Sequence, residues 1–536
     1  MASKPSNRSL YLAAIVACLT AALFGYSVGF VGGVLVLPSF LHHFHLDALL
    51  PHDLAAAQAR VVTVWLVGAL FGVPLGVPIS SGWGRRRCLT FSALLYVSGA
   101  ALQLVDRGGH LSVFNIGRLL NGLGVGAGTL VSPMYISEIS PPSDRGMLMS
   151  GYQTALQLSA LVGFWGAYAS HATFPSSSPL QWQLPVAIQL LPGVFLLLGT
   201  FLIPETPRFY AERGQFDDAE GSLAWLRALP RGDLELEREL DEIREAAEAG
   251  ELLQSEKPSF FSEARKRGVR KRLGVGIGLM IAQNMVGLNA LNYLHSQTTD
   301  APVIFMSAGF TSVSSSLFLT GLFGVVKLIS AIAFMFVFVR IRGNRFWLKL
   351  GSGVCGISML VLAYYVRLMP PPDQTHEAML TFGGVVSVAM VYIFALFFGL
   401  SLGPISWNVC SEIFPLHINA KCCAITTCTQ WLFQIVIASI TPRLLASVGW
   451  ATYLVYALCC ALSLLWTHLA VPETCGVPLG RPMDALFDAP TDSAATIETA
   501  DGGGDQDGDD VEDETTALLR SRARAERRRS SVVAYT

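Results

Sequence analysis

Residues 117–146 read GRLLNGLGVGAGTLVSPMYISEISPPSDRG, an apolar run with recurring glycines that stops at Ser137-Glu138-Ile139-Ser140-Pro141. The run is long enough to cross a hydrocarbon core of about 30 Å as a helix. Its stop returns once, about 274 residues later, as Ser411-Glu412-Ile413-Phe414-Pro415. Two other pairs keep a similar offset: Gly84-Arg85-Arg86 with Gly343-Asn344-Arg345 at about 259, and Pro204-Glu205-Thr206 with Pro472-Glu473-Thr474 at about 268. Three matched markers imply a duplicated unit, with a site between the two copies that rocking exposes to each side in turn.

Twelve such apolar stretches occur, at about 10–34, 61–79, 88–105, 115–137, 149–170, 185–203, 273–295, 313–339, 346–366, 379–404, 422–442 and 450–471. A chain that is 52% hydrophobic and 14% charged needs a solvent other than water for much of its surface. The expected fold is therefore an all-α polytopic membrane protein with 12 transmembrane helices as 6+6 pseudo-repeats. The first stretch follows Lys4 and Arg8 as a secretory signal would, but its Gly-rich core lacks a convincing cleavage site and it reads as a retained helix.

With both termini in the cytosol, about 31 of the 37 basic residues fall on the cytosolic side. The ten cysteines, Cys18 to Cys475, then lie in spans or cytosolic segments, where packing as thiols is expected rather than a disulfide framework. The sequon Asn7-Arg8-Ser9 is expected to stay unmodified. Four segments follow: residues 1–203 as the amino-terminal half, 204–272 as a cytosolic linker with short amphipathic helices, 273–471 as the carboxyl-terminal half, and 472–536 as a largely disordered tail.

The first span carries Phe24-Gly25-Tyr26-Ser27-Val28-Gly29 and continues to Leu37-Pro38-Ser39-Phe40; the fourth sets Gly117, Arg118, Gly122, Gly126, Pro133, Tyr135, Glu138 and Arg145 at fixed intervals. Together with Trp182-Gln183-Leu184-Pro185, PETPRF at Pro204 and PETCGVPLGRP at Pro472, these stretches resemble the sugar porter family of the major facilitator superfamily, and within it the fungal quinate and hexose permeases, over residues 10–485. The resemblance implies a major facilitator fold and transport of a sugar or related polyhydroxylated solute, with the lipid bilayer around it and no cofactor, metal or nucleic acid.

Sugar hydroxyls need donors and acceptors in a dry cavity, and amides supply both. By resemblance the solute-facing residues are Gln157 in span five, Gln283, Asn284 and Asn289 in span seven with Tyr293 at the outer gate, Phe398 and Trp407 in span ten, and Trp431 and Gln434 in span eleven. The competing reading is that these side chains tie helices together or anchor at the interface. The four glycines from Gly122 to Gly128 read as close-packing surfaces. Glu138, Arg145, Glu205, Arg208, Glu412 and Glu473, at the helix ends, are candidate gate residues whose ion pairs would close the inside; ordinary solvated charge is the alternative.

The chain departs from the family at several places. Ser27 stands where proton-coupled relatives carry aspartate, and a serine holds no titratable proton near neutral pH. Facilitated diffusion is therefore expected; a proton-coupled symporter and a non-transporting sugar sensor are the alternatives. Arg118 then lacks its counter-charge, and Lys327 is a second cation inside a span. Either a carboxylated solute neutralises one of them, or they bond carbonyls and snorkel. Ser81 and Gly82, and Arg340 and Asn344, replace acidic and basic residues of the gate motifs on the two halves.

In the tail, Glu514-Thr515-Thr516-Ala517-Leu518-Leu519 fits a sorting-adaptor signal and Arg527-Arg528-Arg529-Ser530-Ser531 a basophilic kinase site. The plasma membrane is the expected location, with vacuolar or endosomal membranes as the alternative. No pattern of an enzyme stands out, and His42, His43 and His45 read as a solvated external cluster.

Overall fold

The computed structural model of the chain describes residues 7–105, 108–255, 260–288, 313–368, 382–477, 479 and 481–488. Asn289 and Tyr293, the sorting and kinase patterns and the rest of the tail lie outside these residues.

Twelve long helices carry the architecture: α1 Arg8–Val34, α2 Pro51–Gly82, α3 Arg85–Val105, α4 Leu111–Ile139, α5 Arg145–Thr173, α6 Leu180–Gly199, α7 Arg267–Met285, α8 Leu319–Ile341, α9 Asn344–Leu368, α10 Phe382–Glu412, α11 Asn419–Val448 and α12 Ala451–Ala470. By length and composition ten of them can cross a membrane, the exceptions being α5 and α7. α5 interrupts its apolar run with Gln153, Thr154, Gln157 and Ser159, while α7 opens on Arg267, Arg270, Lys271 and Arg272. Leu198, Phe201, Ile329, Phe336, Leu360 and Leu462 stand exposed on the outside of the bundle, as a surface solvated by lipid requires.

The two halves pack alike. α1 lies against α5, α2 against α4 and α3 against α4 in the first; α7 against α11, α8 against α10 and α9 against α10 in the second. Between halves, α2 meets α11 and α5 meets α8, two contacts that a six-helix repeat exchanges. One large apolar core runs through both halves, and a second, built on Phe40, Phe44, Phe114 and Trp182, closes the first half at the end where α1 finishes.

Glycines let the first half close tightly. A Cβ on Gly126 would strike the carbonyl oxygen of Ala69 in α2, and one on Gly72 would strike that of Leu123 in α4. Gly124 and Gly128 likewise face Ser92, so the glycines of span four are helix-packing surfaces.

Two irregularities interrupt the second half. α10 breaks at Ser401, whose φ of −140° and ψ of −97° separate Phe382–Gly399 from Leu402–Glu412. α8 widens into a π turn at Phe334–Phe338. Between the halves lie three short helices, Pro207–Ala211, Phe216–Arg227 and Phe260–Arg265, and the 22-residue Leu234–Ser255, docked in part by Arg227, which donates to the Ile139 carbonyl (3.1 Å) and pairs with Glu239.

Candidate functional site

Polar side chains converge on the break in α10. Gln283 of α7 donates through Nε2 to the Gly403 carbonyl at 3.0 Å, and a Cβ on Gly403 would lie 3.0 Å from Gln153 Nε2 of α5. Phe398 precedes the break, and Trp407, one turn beyond Gly403, lies with its ring 5.5 Å from that of Tyr152. Gln157 follows Gln153 by one turn on the same face of α5.

These amides are only partly satisfied. Oε1 of Gln153, Gln283 and Gln434 is buried without a hydrogen-bond partner among the described residues, and so is Oδ1 of Asn408. Gln157 is 4% exposed and makes no hydrogen bond to a described residue. Buried acceptors without donors are costly unless something polar enters to meet them. Asn284 is committed elsewhere, donating to Gln430 Oε1 at 2.6 Å and to the Met280 carbonyl at 2.9 Å. Gln153 and Gln430 were not among the sequence candidates, although Gln153 lies one turn from Gln157 and Gln430 adjoins Trp431.

Trp431 of α11 reaches across into the first half. Its Nε1 donates to Thr129 Oγ1 at 3.2 Å, and its ring lies 4.9 Å from Phe24 and 5.5 Å from Trp65. Behind Trp65 a neutral network begins: Trp65 Nε1 (2.9 Å) and Ser27 Oγ (3.2 Å) both donate to Asn121 Oδ1, and Asn121 Nδ2 donates to Gln189 Oε1 at 3.4 Å. Ser27 is fully buried here, its hydroxyl 3.1 Å from that of Tyr96. Arg118 is also fully buried, with its guanidinium 5.2 Å from the Trp65 ring and 5.8 Å from the Phe30 ring. Its Nε and Nη1 have no hydrogen-bond partner among the described residues.

The gate candidates gather at the end of the bundle that holds both Pro-Glu-Thr turns, here the PET end. Glu205 accepts from the backbone N–H of Arg85 (2.9 Å) and Arg86 (3.0 Å), and Glu473 from those of Asn344 (2.8 Å) and Arg345 (3.1 Å). Each glutamate thus caps the first turn of the helix after its half's glycine turn, meeting N–H groups the helix leaves unpaired. Gly84, at φ +111°, leaves no room for a side chain beside Glu205, nor does Gly343 beside Glu473.

The halves then diverge. In the first, Arg85 Nη2 lies 3.1 Å from Glu138 with both side chains buried, and Thr206 donates to the same carboxylate at 2.6 Å. In the second, Asn344 turns instead to Thr474 Oγ1 (3.1 Å), and Glu412 has no hydrogen bond or ion pair to a described residue. Arg145 donates to the carbonyls of Val477 (3.3 Å) and Ser140 (3.4 Å) rather than to a carboxylate. Burial pushes the Glu205 carboxyl above its usual range despite its N–H donors, and pulls the Arg208 guanidinium below its usual value despite Glu138 and Glu212 nearby. Arg340 forms a pair the sequence did not suggest, 3.9 Å from Asp144 of the other half. Among the described residues no group of His, Cys, Asp and Glu is placed to hold a metal ion.

Two six-helix repeats with a broken helix and unpaired amides between them define a polytopic carrier of the major facilitator class. A family model described as Sugar (and other) transporter matches residues 13–484, and the chain belongs to that family as an integral membrane transporter. It is 33% identical over 489 residues to a probable quinate permease of Neosartorya fischeri, covering 90% of this chain and 88% of that protein. It is likewise 33% identical over 486 residues to the quinate permease of Emericella nidulans, covering 90% and 89%. The proton:xylose symporter XylE bound to 6-bromo-6-deoxy-D-glucose superposes with a TM-score of 0.74 at 25% identity, over 90% of this chain and 99% of that one. An inward-open form of the xylose transporter XylE from E. coli gives 0.63 at 23% identity, over 89% and 100%.

Proposed function

We propose that the protein carries a sugar or related polyhydroxylated solute across the plasma membrane by alternating access, as a uniporter, with both termini in the cytosol. The observation that carries this reading is the pair of amides on α5 and α7 at the α10 break, Gln153 and Gln283, whose buried oxygens lack donors among the described residues, as does that of Gln434 on α11. Solute hydroxyls would supply those donors, with Phe398, Trp407 and Trp431 offering apolar faces. Asn289 and Tyr293 complete the proposed site from the family pattern.

Uniport is supported by Ser27, a neutral hydroxyl engaged with Tyr96 and Asn121 at the position where coupled relatives carry aspartate. Orientation is supported by the gathering of Arg85, Arg86, Arg87, Arg340, Arg342 and Arg345 at the PET end. The gate residues Glu138, Arg145, Glu205, Arg208, Glu412 and Glu473 would then regulate cytosolic opening. The test is uptake of labelled sugars, polyols and quinate by proteoliposomes with and without an imposed proton gradient. Equilibrating uptake, indifferent to the gradient, is expected. Gradient-driven accumulation would overturn uniport, and no uptake of any solute would overturn the transport reading.

A further inference from the structure

The lipid-facing side of α8 is marked by Leu322 (37% exposed), Ile329 (57%), Ile332 (39%) and Phe336 (58%). Lys327, two residues from Ile329, lies about 200° around the helix from it, on the opposite face. That face also holds Phe323, Ala331 and Phe334, all nearly or fully buried. Lys327 is nevertheless only partly buried, so the space it meets is interior rather than lipid.

Its height in the bundle follows from the α5–α8 contact. A Cβ on Gly324 would lie 2.9 Å from Leu161, one on Gly151 would lie 3.6 Å from Met335, and one on Gly146 would lie 2.9 Å from Val339. As one helix climbs the other descends, and this register sets Lys327 level with Gln157 and Leu158. From the third side comes α10, where a Cβ on Gly399, next to Phe398, would lie 3.5 Å from the Lys327 carbonyl. The Lys327 backbone thus stands at the level of the amide cluster, beside the break in α10, and its ammonium leans from there one turn toward the start of α8, over the Phe323 ring.

No described residue neutralises it there. Its nearest noted contact is the Phe323 ring, 5.4 Å away, and it makes no hydrogen bond or ion pair to a described residue. The described acidic residues of the long helices, Asp53, Glu138 and Glu412, lie at helix ends. Its face turns away from lipid, which opposes snorkelling, and no carbonyl of a described residue accepts from it. Arg118 is a weaker candidate, because Trp65 and Phe30 cover its guanidinium.

We infer that Lys327 anchors a carboxylate of the carried solute, so that the preferred cargo is a polyhydroxylated acid whose hydroxyls meet Gln157 and Gln283 while its carboxylate meets the ammonium. This rests on the proposed reading of the amide cluster as the solute site. A carboxylate arriving in this dry position would satisfy a charge that is otherwise costly to bury.

The experiment measures uptake of labelled D-glucose, D-glucuronate and quinate by proteoliposomes of the full chain, and of Lys327→Gln and Lys327→Arg. At least one acid is expected to half-saturate uptake about tenfold or more below glucose. Lys327→Gln should raise that value about ten- to a hundredfold while moving glucose by less than about threefold, and Lys327→Arg should keep the preference. Glucose carried as well as or better than both acids, or Lys327→Gln shifting acid and sugar alike, would overturn the inference and leave the transport reading standing. Uptake of none of the three, extended to the wider panel of sugars and polyols without success, overturns both.

Discussion

Arg85 and Asn344 occupy the same place in the two halves, and they decide how each half holds its buried glutamate. Glu138 has a guanidinium at 3.1 Å and a threonine hydroxyl at 2.6 Å, whereas Glu412 has neither. The 274-residue offset that pairs Glu138 with Glu412 also pairs Arg145 with Asn419, so the second half has lost both arginines. Arg85→Ala removes the guanidinium bonded to buried Glu138, leaving only the unbonded Arg208 nearby, and is expected to cost about 3–5 kcal/mol. Asn344→Ala removes one neutral hydrogen bond, at about 1 kcal/mol. Thermal unfolding of the purified protein should show a large drop for the first and a small one for the second; equal drops would contradict the asymmetry. Glu138 and Glu205 could be read from the sequence because they stand in repeated motifs. Arg85 also stands in a repeated motif, Gly84-Arg85-Arg86, but was not read as a gate residue because, beside two more arginines, it looks like any solvated basic cluster until the fold withdraws it from water.

At the scale of elements, the first half is held by backbone brought against backbone, which only glycine permits. Gly126→Val would drive a branched side chain into the Ala69 carbonyl and force α2 and α4 apart. An overpacking cost of at least about 1–3 kcal/mol is expected, seen as loss of the monodisperse folded fraction in detergent. Gly82→Ala, where a Cβ would meet nothing within 4 Å, is the matched control and should leave that fraction unchanged. The helices themselves were legible as apolar runs of membrane-spanning length. Their ends were not: α2 begins at Pro51, ten residues before its apolar run, because a helix extends into water at no cost that hydropathy records. The break at Ser401 was hidden for a related reason, since Leu400 and Leu402 on either side keep the run apolar while Pro404 alone hints at a new helix start. Lys327 stood out in the sequence as a charge within an apolar run, yet its face and height came only from the way α8 lies against α5.

For the whole molecule, the contacts that close the PET end across the two halves are few and weak. Ser137 Oγ donates to the Ser411 carbonyl at 3.4 Å, Arg145 reaches the Val477 carbonyl at 3.3 Å, and Arg340 lies 3.9 Å from Asp144 with its side chain 61% exposed. Each half keeps its own cap, Glu205 on α3 and Glu473 on α9, so the six-helix units can move as bodies while cross-contacts such as these break. An exposed pair contributes about 0–1 kcal/mol and a neutral hydrogen bond about 1 kcal/mol. Arg145→Ala combined with Arg340→Ala should therefore shift the equilibrium towards an open PET end by about 1–2 kcal/mol, roughly 5- to 30-fold. Spin labels at Arg87→Cys and Arg342→Cys, with Cys475→Ser to remove the exposed thiol, report that separation directly. The double variant should lengthen the distance distribution relative to the labelled parent, whereas an unchanged distribution would mean that the α2–α11 and α5–α8 contacts, and not the PET end, hold the halves closed.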